Sequence, residues 1–383
     1  MNKPKILYLS DTNITKAGGA QQSMKVLMEG LVSEYDIYIV TPSGRKFSEY
    51  HISLDKYHKF VLRRKNFYKV LLMIKDILNV VRKINPQIIH VQMPATMVII
   101  NFLLSVGAID KKTKIVYTDR GVYGKYGKIT NLSINSIVQK AEKIVTTTSV
   151  NKLNYANQFP KYRRYEEKFK VIYNTAGKEY DYYDITKRDE IKEKYKIDSN
   201  DFVIGLCGRY SEQKNWPLAY EILEKCKSKI DKLRFLIILG TDNSKANNAE
   251  AKEYIRKVKE LVGEKKINAF INLNNNEVAD LYYAMDCFLL TSKWESFGRT
   301  AVEAMARKNV VIGTNVDGLA EVIGNKNYIF DTAEEAFEII EKLFINEEEL
   351  QSHKEKFYDR YHEKFGYNRN IEMHRSLYKS LLE

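Results

Sequence analysis

Apolar positions in the first 150 residues alternate between short continuous runs and longer runs with helical spacing. Short runs such as KILYLSD at 5–11 and DIYIVTP at 36–42 predict buried strands. Longer runs predict helices, and the one at 18–35 places apolar side chains on a single face: Met24, Leu27, Met28, Leu31 and Val32. Strands and helices that alternate in this way predict a parallel sheet with helices on both faces.

The alternation stops at 157–184, which is charged, rich in tyrosine and predicted to be irregular, with a hinge near Asn174. A second series of strands and helices follows it. The sequence therefore predicts two doubly wound, Rossmann-like α/β domains that face a central cleft: 1–173, joined by a C-terminal helix at 366–383, and 174–365. Ligands in such sheets bind at the carboxyl ends of the strands, so the loops directly after strands are the places to search for chemistry.

The basic composition of the chain favours anionic partners. The formal net charge is +13, although a lysine-rich surface with no special partner would give the same value. The three cysteines, Cys207, Cys226 and Cys287, have neither disulfide nor metal-ligand spacing, which fits a reducing cytoplasm. The start of the chain does not have the pattern of a signal peptide, and the most apolar stretch, 97–109, is too short to span a membrane.

Two of the predicted strand-end loops carry groups that suit anions. In TKAGGAQQS, Gly18 and Gly19 open a helix whose free amides could meet a phosphate or a sugar hydroxyl, although Gly-Gly before a helix is most often only a turn. In GRYSEQKN, Arg209 and Lys214 could hold a diphosphate together, or could be two solvated surface cations.

The third loop is ESFGRTAVEAMA at 295–306, which contains two glutamates eight positions apart. Glu303, inside the predicted helix, could accept two hydrogen bonds from a vicinal diol such as a ribose. The alternative is that Glu303 is an exposed helix residue and Glu295 a cap. The loop and the start of the helix supply further candidate ligands: Ser296, Phe297, Gly298 and Arg299.

Taken in order, these segments resemble the retaining glycosyltransferases of family 4, which have the GT-B fold. That family has an N-terminal Gly-Gly-Ala, an Arg and a Lys in a G-R-x-x-x-x-K loop, and two glutamates separated by seven residues. VIYNTAG at 171–177 resembles the family's hinge strand, and VDGLAEVI at 316–323 resembles its G-G-x-x-E-V-I loop. The resemblance covers nearly the whole chain and is most specific over 200–325.

The resemblance implies a role for each candidate residue. Arg209 and Lys214 would bind the diphosphate of a nucleotide-sugar and stabilise its charge as the sugar leaves, and Glu303 would bind the ribose. The loop from Glu295 to Arg299 would contact the donor sugar and phosphate, as would Gly18 and Gly19 from the other domain, and the backbone at Leu273 would meet the base. No cofactor is expected, because the UDP-sugar is a substrate, and no metal is expected, because the chain has no Asp-x-Asp triplet and the two cations would do the same electrostatic work.

The segment VYTDRG at 116–121 departs from the family, many members of which have a histidine or another polar residue near the reacting carbon at this place. Either Asp119 or Arg120 must fill the position. Asp119 could hold a sugar hydroxyl, whereas Arg120 could hold an anionic acceptor group but cannot act as a base. His90 is another polar residue near a strand end, although a histidine in a buried strand is more often structural.

The resemblance implies a retaining, metal-independent glycosyltransferase of the cytoplasm. It would move a sugar from a UDP-sugar to an anionic or lipid-linked glycan or a polymer, as in cell-surface polysaccharide or teichoic-acid-type biosynthesis. A nucleotide-sugar epimerase of the same fold is an alternative. A nucleic-acid-binding protein is a remote one, because no binding module accompanies the charge and the 27 tyrosines, so no nucleic-acid partner is expected.

Residues 59–83 suggest an anionic membrane surface as a further partner. One acid, Asp76, stands among eight basic residues: Lys59, Arg63, Arg64, Lys65, Lys69, Lys75, Arg82 and Lys83. An apolar stripe at helical spacing is predicted to cover the sheet: Phe67, Val70, Leu71, Ile74, Ile77, Leu78 and Val81. Since cations near an anionic leaflet contribute about 1 kcal/mol each, the basic positions favour peripheral association with the inner membrane face.

Overall fold

The structure of the protein is a computed structural model that describes residues 3–16, 18–62, 67–227, 229–230 and 232–383. The chain forms two compact units, Met1–Asn174 with Asn368–Glu383, and Thr175–Tyr367. Along the described residues, no helix combines the length and the apolar character needed to cross a bilayer.

The first unit is built on a parallel sheet in the order β3-β2-β1-β4-β5-β6-β7. Its strands are β1 Lys5–Leu9, β2 Asp36–Pro42, β3 His51–Leu54, β4 Ile88–Val91, β5 Lys114–Asp119, β6 Lys143–Thr146 and β7 Phe169–Val171. The helices are α1 Gly19–Leu31, α2 Phe67–Ile84, α3 Pro94–Ser105, α4 Lys128–Lys140, α5 Ser149–Gln158 and α6 Tyr162–Tyr165. The central strands consist of apolar side chains because helices cover both faces of the sheet.

The second unit is built on a parallel sheet in the order β10-β9-β8-β11-β12-β13. Its strands are β8 Phe202–Arg209, β9 Leu233–Gly240, β10 Ile267–Ile271, β11 Cys287–Leu290, β12 Val310–Thr314 and β13 Ile329–Phe330. The helices are α7 Lys187–Lys194, α8 Trp216–Lys227, α9 Lys245–Val262, α10 Asn275–Leu281, α11 Arg299–Met305, α12 Asp317–Ile323, α13 Ala333–Ile345 and α14 Glu347–Arg360.

The last helix, α15 Tyr367–Leu382, packs on the sheet of the first unit through a buried hydrogen-bonded chain. The Tyr378 hydroxyl lies 2.6 Å from the Tyr8 hydroxyl and 2.6 Å from Nδ1 of His90, whose Nε2 lies 2.6 Å from Oγ1 of Thr118. His90 is completely buried, and burial lowers the pKa of its imidazole well below the usual value. One of its ring nitrogens therefore binds α15 and the other binds β5, so the histidine is structural here.

The prediction of an irregular segment at 157–184 is wrong for its first part. α5 continues to Gln158, α6 follows, and β7 pairs with β6 through Ile144 and Phe169. The reason is aromatic packing: the centroid of the Phe169 ring lies 4.9 Å from the ring centroid of Tyr155 and 5.1 Å from that of Tyr162. Burial of these rings against the sheet outweighs the charged composition, which suggested a loop.

Helix α2 covers the sheet with a narrower apolar face than its sequence predicts. Met73, Ile77 and Val81 are buried in the core, at intervals of four residues. Leu71, predicted to lie in the buried stripe, is 43% exposed, and its neighbours Tyr68 and Leu72 are exposed as well. The sheet surface under α2 fully buries the row formed by Met73, Ile77 and Val81, whereas the adjacent row of Tyr68, Leu71 and Leu72 remains in solvent.

Candidate active site

The candidate loops of the second unit meet where its strand order reverses. Neighbouring strands β8 and β11 are in register through Cys287 and Ile204, and β9 and β12 lie on their outer sides. The connections from β8 and β11 therefore leave the sheet in opposite directions. This arrangement opens a crevice at the carboxyl ends of the two strands, which is the usual ligand position in open α/β sheets.

Lys214 and Glu295 form an ion pair across these two loops. Nζ of Lys214 lies 2.7 Å from Oε2 of Glu295, and only 15% and 13% of the two side chains are exposed. Nζ also approaches the Ser292 hydroxyl at 3.5 Å. Because a side chain at Gly208 would meet Cε of Lys214 at 3.2 Å, this glycine leaves room for the lysine to lie against β8. The ammonium group is thus held at the strand end.

Arg209 is the last residue of β8, and its side chain is exposed. Its carbonyl oxygen accepts a hydrogen bond of 3.0 Å from Nε1 of Trp216, which fixes the backbone but leaves the guanidinium group to extend from the strand end. Within the described ranges, no carboxylate forms an ion pair with this guanidinium group. Arg209 is therefore a cation whose charge is available to a ligand.

The loop before α11 is held by backbone contacts to α12. The amide of Gly318 donates to the carbonyl oxygen of Glu295 at 3.0 Å, and the amide of Glu295 donates to Oδ2 of Asp317 at 3.2 Å. Gly298 has a φ of +83° and faces Leu319, whose Cδ1 would lie 2.8 Å from an added Cβ. The positive φ favours glycine at this position, and a larger residue would also displace the end of the Leu319 side chain.

Phe297 anchors the middle of the same loop. Its side chain is buried, and its ring contacts that of Phe365 edge to face, with centroids 5.7 Å apart. Ser296 lies between this anchor and Glu295. The loop is therefore fixed at both ends.

Glu303 lies on α11 and uses both carboxylate oxygens. Oε1 is 3.1 Å from Nε of Arg299, and Oε2 accepts a hydrogen bond of 3.1 Å from the hydroxyl of Tyr282. Burial raises the pKa of the Glu303 carboxyl, and Arg299 and Tyr282 oppose this rise. Since 12% of the side chain remains exposed, the carboxylate can still meet a ligand.

The last residue of this unit that is predicted to contact the nucleotide-sugar lies toward the edge of the sheet. Leu273 follows β10 by two residues and is partly buried. The preceding Asn272 has a φ of +57° and donates its amide to the carbonyl oxygen of Leu239 at 2.8 Å. The chain therefore turns sharply at this point, and Leu273 lies two strands from β8.

In the first unit, Gly18 and Gly19 begin α1 directly after the β1 connection. A side chain at Gly18 would meet Oε1 of Gln21 at 2.3 Å, whereas the space beside Gly19 is open.

In the sheet of the first unit, Arg120 follows β5 and donates to Oδ1 of Asn174 at 2.9 Å and to Oε1 of Gln92. Its guanidinium group is thus oriented by two neutral side chains.

Asp119 has no exposed surface. Its oxygens accept hydrogen bonds from the amide of Gly121 at 3.0 Å, from Nδ2 of Asn151 at 3.2 Å, from the Tyr155 hydroxyl at 2.8 Å and from the Tyr126 hydroxyl. In this structure the carboxylate stabilises the turn after β5 and is inaccessible to a substrate. Arg120 is the more exposed of the two residues.

Tyr282 is a site residue that the sequence did not reveal. It lies in the 3₁₀ turn Tyr282–Ala284, inside a stretch whose apolar spacing indicates core. A tyrosine in such a stretch is usually only a packing residue, so nothing in the local pattern connects it to a glutamate 21 positions later.

Comparisons with known proteins agree with the fold. Residues 187–360 match the family described as Glycosyl transferases group 1, and residues 17–176 match Glycosyltransferase Family 4. The two matches meet in the region that joins the two units. The chain therefore belongs to these glycosyltransferases.

Solved structures show the same GT-B fold at low sequence identity. A glycosyltransferase from Rickettsia africae is 22% identical with a TM-score of 0.75, and both chains are covered completely. Sucrose-phosphate synthase from Thermosynechococcus elongatus is 15% identical with a TM-score of 0.84, covering 99% of each chain. Anabaena HepE, solved with UDP and glucose, is 15% identical with a TM-score of 0.79, covering 98% of this chain and 100% of that one. The predicted fold class is confirmed.

A curated relative matches over a shorter segment. The mannosylfructose-phosphate synthase of Agrobacterium fabrum is 26% identical over 137 residues, which is 36% of this chain and 30% of that protein. The chain thus matches less than a third of this relative's length.

Proposed function

We propose that the protein transfers a sugar from a UDP-sugar to a glycan, lipid-linked or polymer acceptor, with retention of configuration at the sugar carbon. The observation that carries this proposal is the ion pair of Lys214 with Glu295 at the strand-order reversal of the second sheet. It lies within the segment that matches Glycosyl transferases group 1. UDP is proposed because HepE, which shares the fold, was solved with UDP and with UDP-glucose.

The chemistry follows from the charges at this strand end. Arg209 and Lys214 would bind the diphosphate and stabilise the negative charge that develops on it as the bond to the sugar breaks. Protein cations would supply this charge, so the reaction would need no metal. The acceptor oxygen would attack from the face that the diphosphate leaves, and the departing phosphate would take the acceptor proton. This route gives retention without an enzyme nucleophile.

The other site residues would bind the donor and the acceptor. Glu303 would accept the ribose hydroxyls, the loop Glu295–Gly298 would contact the sugar and the phosphate, and the backbone at Leu273 would meet the base. In the first unit, the open space beside Gly19 would admit the sugar or phosphate. Arg120, held by Gln92 and Asn174, would bind an anionic acceptor group, whereas Asp119 would shape the turn that carries it.

Thermal unfolding with nucleotides tests the proposed donor. UDP at about 100 times its Kd is expected to stabilise the protein by about 2.7 kcal/mol, because a ligand that binds only the folded state shifts unfolding by mass action. Uridine, which lacks the diphosphate, is expected to stabilise much less at the same concentration. A shift for a single-stranded oligonucleotide equal to that for UDP would indicate general polyanion binding and would contradict the proposal.

We also propose that the protein associates peripherally with an anionic membrane through the exposed face of α2. The predicted cations Arg63, Arg64 and Lys65 lie outside the described residues. On α2 itself, the exposed apolar residues Tyr68, Leu71 and Leu72 lie among exposed cations: Lys69, Lys75, Arg82 and Lys83. Apolar and basic side chains together on one helical face suit the boundary of an anionic leaflet.

Sedimentation with liposomes tests this surface. The protein is expected to pellet with anionic liposomes at low salt and to be released at high salt, because salt screens the lysine and arginine charges. The double variant Leu71→Ser, Leu72→Ser is expected to pellet less. Ile345→Ser is the matched control, since Ile345 is an exposed apolar residue of the second unit. Equal, negligible pelleting with anionic and neutral liposomes at both salt concentrations would rule out the association.

A further inference from the structure

The Glu303 carboxylate has a defined number of acceptor sites left for a ligand. An ionised carboxylate offers about four lone-pair sites, two on each oxygen. The Tyr282 hydroxyl takes a site on Oε2, whereas Nε of Arg299 forms an ion pair with Oε1 at 3.1 Å without the geometry of a hydrogen bond. At least one site therefore remains on each oxygen, which is enough for the two hydroxyls of a vicinal diol.

Arg299 is fixed by more than its neighbour on the helix. An arginine four residues before a glutamate could form an ordinary exposed pair. Here only 14% of the Arg299 side chain is exposed, and its Nη2 donates a hydrogen bond to the carbonyl oxygen of Ala176. The guanidinium group is held between α11 and the segment that leads into the second unit. Its position is therefore set independently of Glu303.

Tyr282 is fixed by the core. Its side chain is buried, and its ring contacts Phe288 of β11 edge to face, with centroids 5.3 Å apart. Its carbonyl oxygen accepts a hydrogen bond of 3.0 Å from Nδ2 of Asn309. Burial raises the pKa of the Tyr282 hydroxyl well above its usual value, so this hydroxyl remains a donor at neutral pH.

We propose that Tyr282 and Arg299 are positioning residues that hold the Glu303 carboxylate in one orientation, with one lone pair on each oxygen directed to the ribose hydroxyls of the donor. This inference rests on the proposed function. It gives Arg299 a different role from the donor contact that the family resemblance implies, because its guanidinium forms an ion pair with Glu303 and donates to the carbonyl oxygen of Ala176. Tyr282 receives a role that neither the motif nor the family match assigns.

Both residues also affect the protonation of Glu303. Burial raises the pKa of this carboxyl, Arg299 and then Tyr282 lower it, Glu179 raises it and Lys214 lowers it. Burial first, and the Glu303 charge second, raise the pKa values of the neighbouring side chains Cys207 and Tyr180. The ionised form accepts the two diol hydroxyls more strongly than the protonated form does, so UDP affinity should fall as the pH falls through the pKa of Glu303. Loss of either positioning residue should move that fall to higher pH.

The test is calorimetric titration of UDP into wild-type protein and variants over a series of mildly acidic to mildly alkaline pH values. Tyr282→Phe is expected to weaken UDP binding about 3- to 10-fold at neutral pH, the scale of one hydrogen bond. Arg299→Gln is expected to shift the loss of affinity to a higher pH than Tyr282→Phe does, since a charge is removed. UDP protonation is common to all variants and cancels in the comparison.

Two further variants separate positioning from packing. Arg299→Lys keeps the cation and is expected to restore the pH dependence toward that of wild type. Tyr254→Phe removes a buried hydroxyl from the core of the second unit and is expected to bind UDP normally. Wild-type affinity and pH dependence in both Tyr282→Phe and Arg299→Gln would overturn this inference alone. Absence of UDP binding by wild-type protein at every pH would overturn the proposed function, and this inference with it.

Discussion

Lys214→Ala is expected to lower turnover by about 100-fold or more, the scale of losing one preorganised electrostatic donor to a developing negative charge. The ammonium of Lys214 is already positioned at the strand end by Glu295, 2.7 Å away, so little reorganisation is needed when the diphosphate leaves. Arg209→Ala is expected to have an effect of the same order. Initial rates of UDP release with a competent acceptor measure both.

Lys225→Ala is the matched control for these variants. Lys225 forms an ion pair of 2.6 Å with Glu334, but the pair lies on α8 and α13 and is largely exposed. This variant is expected to retain wild-type turnover, because exposed pairs contribute little. Wild-type activity is also expected to persist in EDTA. Normal turnover in both Arg209→Ala and Lys214→Ala, or activity that EDTA abolishes and magnesium restores, would contradict the scheme.

Glu303→Ala is expected to weaken UDP binding by about 1.5–3 kcal/mol, the range for hydrogen bonds to a charged group. This corresponds to a rise in Kd of roughly 10- to 150-fold. The physical reason is that the ribose hydroxyls would lose an acceptor that Arg299 and Tyr282 hold in place. Calorimetric titration of UDP measures the change directly.

Two controls accompany the Glu303 measurement. Glu303→Gln keeps the volume of the side chain beside Arg299 and is expected to lose affinity while melting close to wild type. Glu334→Ala removes an exposed carboxylate of α13 and is expected to bind UDP normally. Unchanged UDP affinity in a folded Glu303→Ala variant would show that this carboxylate does not bind the nucleotide.

The sequence specified the fold class through local periodicity. Continuous apolar runs such as 36–42 and helical spacing such as 67–84 correspond to β2 and α2, because side-chain spacing alone decides which face of an element can be buried. The motifs also fell in the loops after β8 and β11 for a topological reason. In a parallel sheet every strand ends at the same edge, so residues placed directly after strands share that edge.

Tertiary structure decided which side chains become partners. Lys214 and Glu295 are 81 positions apart, and their pairing depends on β8 and β11 being neighbours, which no periodicity encodes. Tyr282 and Glu303 likewise lie on different elements, before and after β11 in the chain, and only folding brings them together. Asp119 was a candidate for contact with substrate on its position alone, yet its oxygens are occupied by donors from α5 and the turn after β5.

The extent of burial was likewise a tertiary outcome. Leu71 carries the same apolar side chain whether it faces the sheet or solvent, and only the docking angle of α2 decides that it is 43% exposed. The segment around Phe169 became a strand because neighbouring rings could bury it. Sequence by itself determined most of the elements and the fold class, since these depend on spacing along the chain, and its ordered motifs indicated the family. Three-dimensional packing decided the contacts and the exposure of each side chain, since these depend on distances between segments remote in sequence.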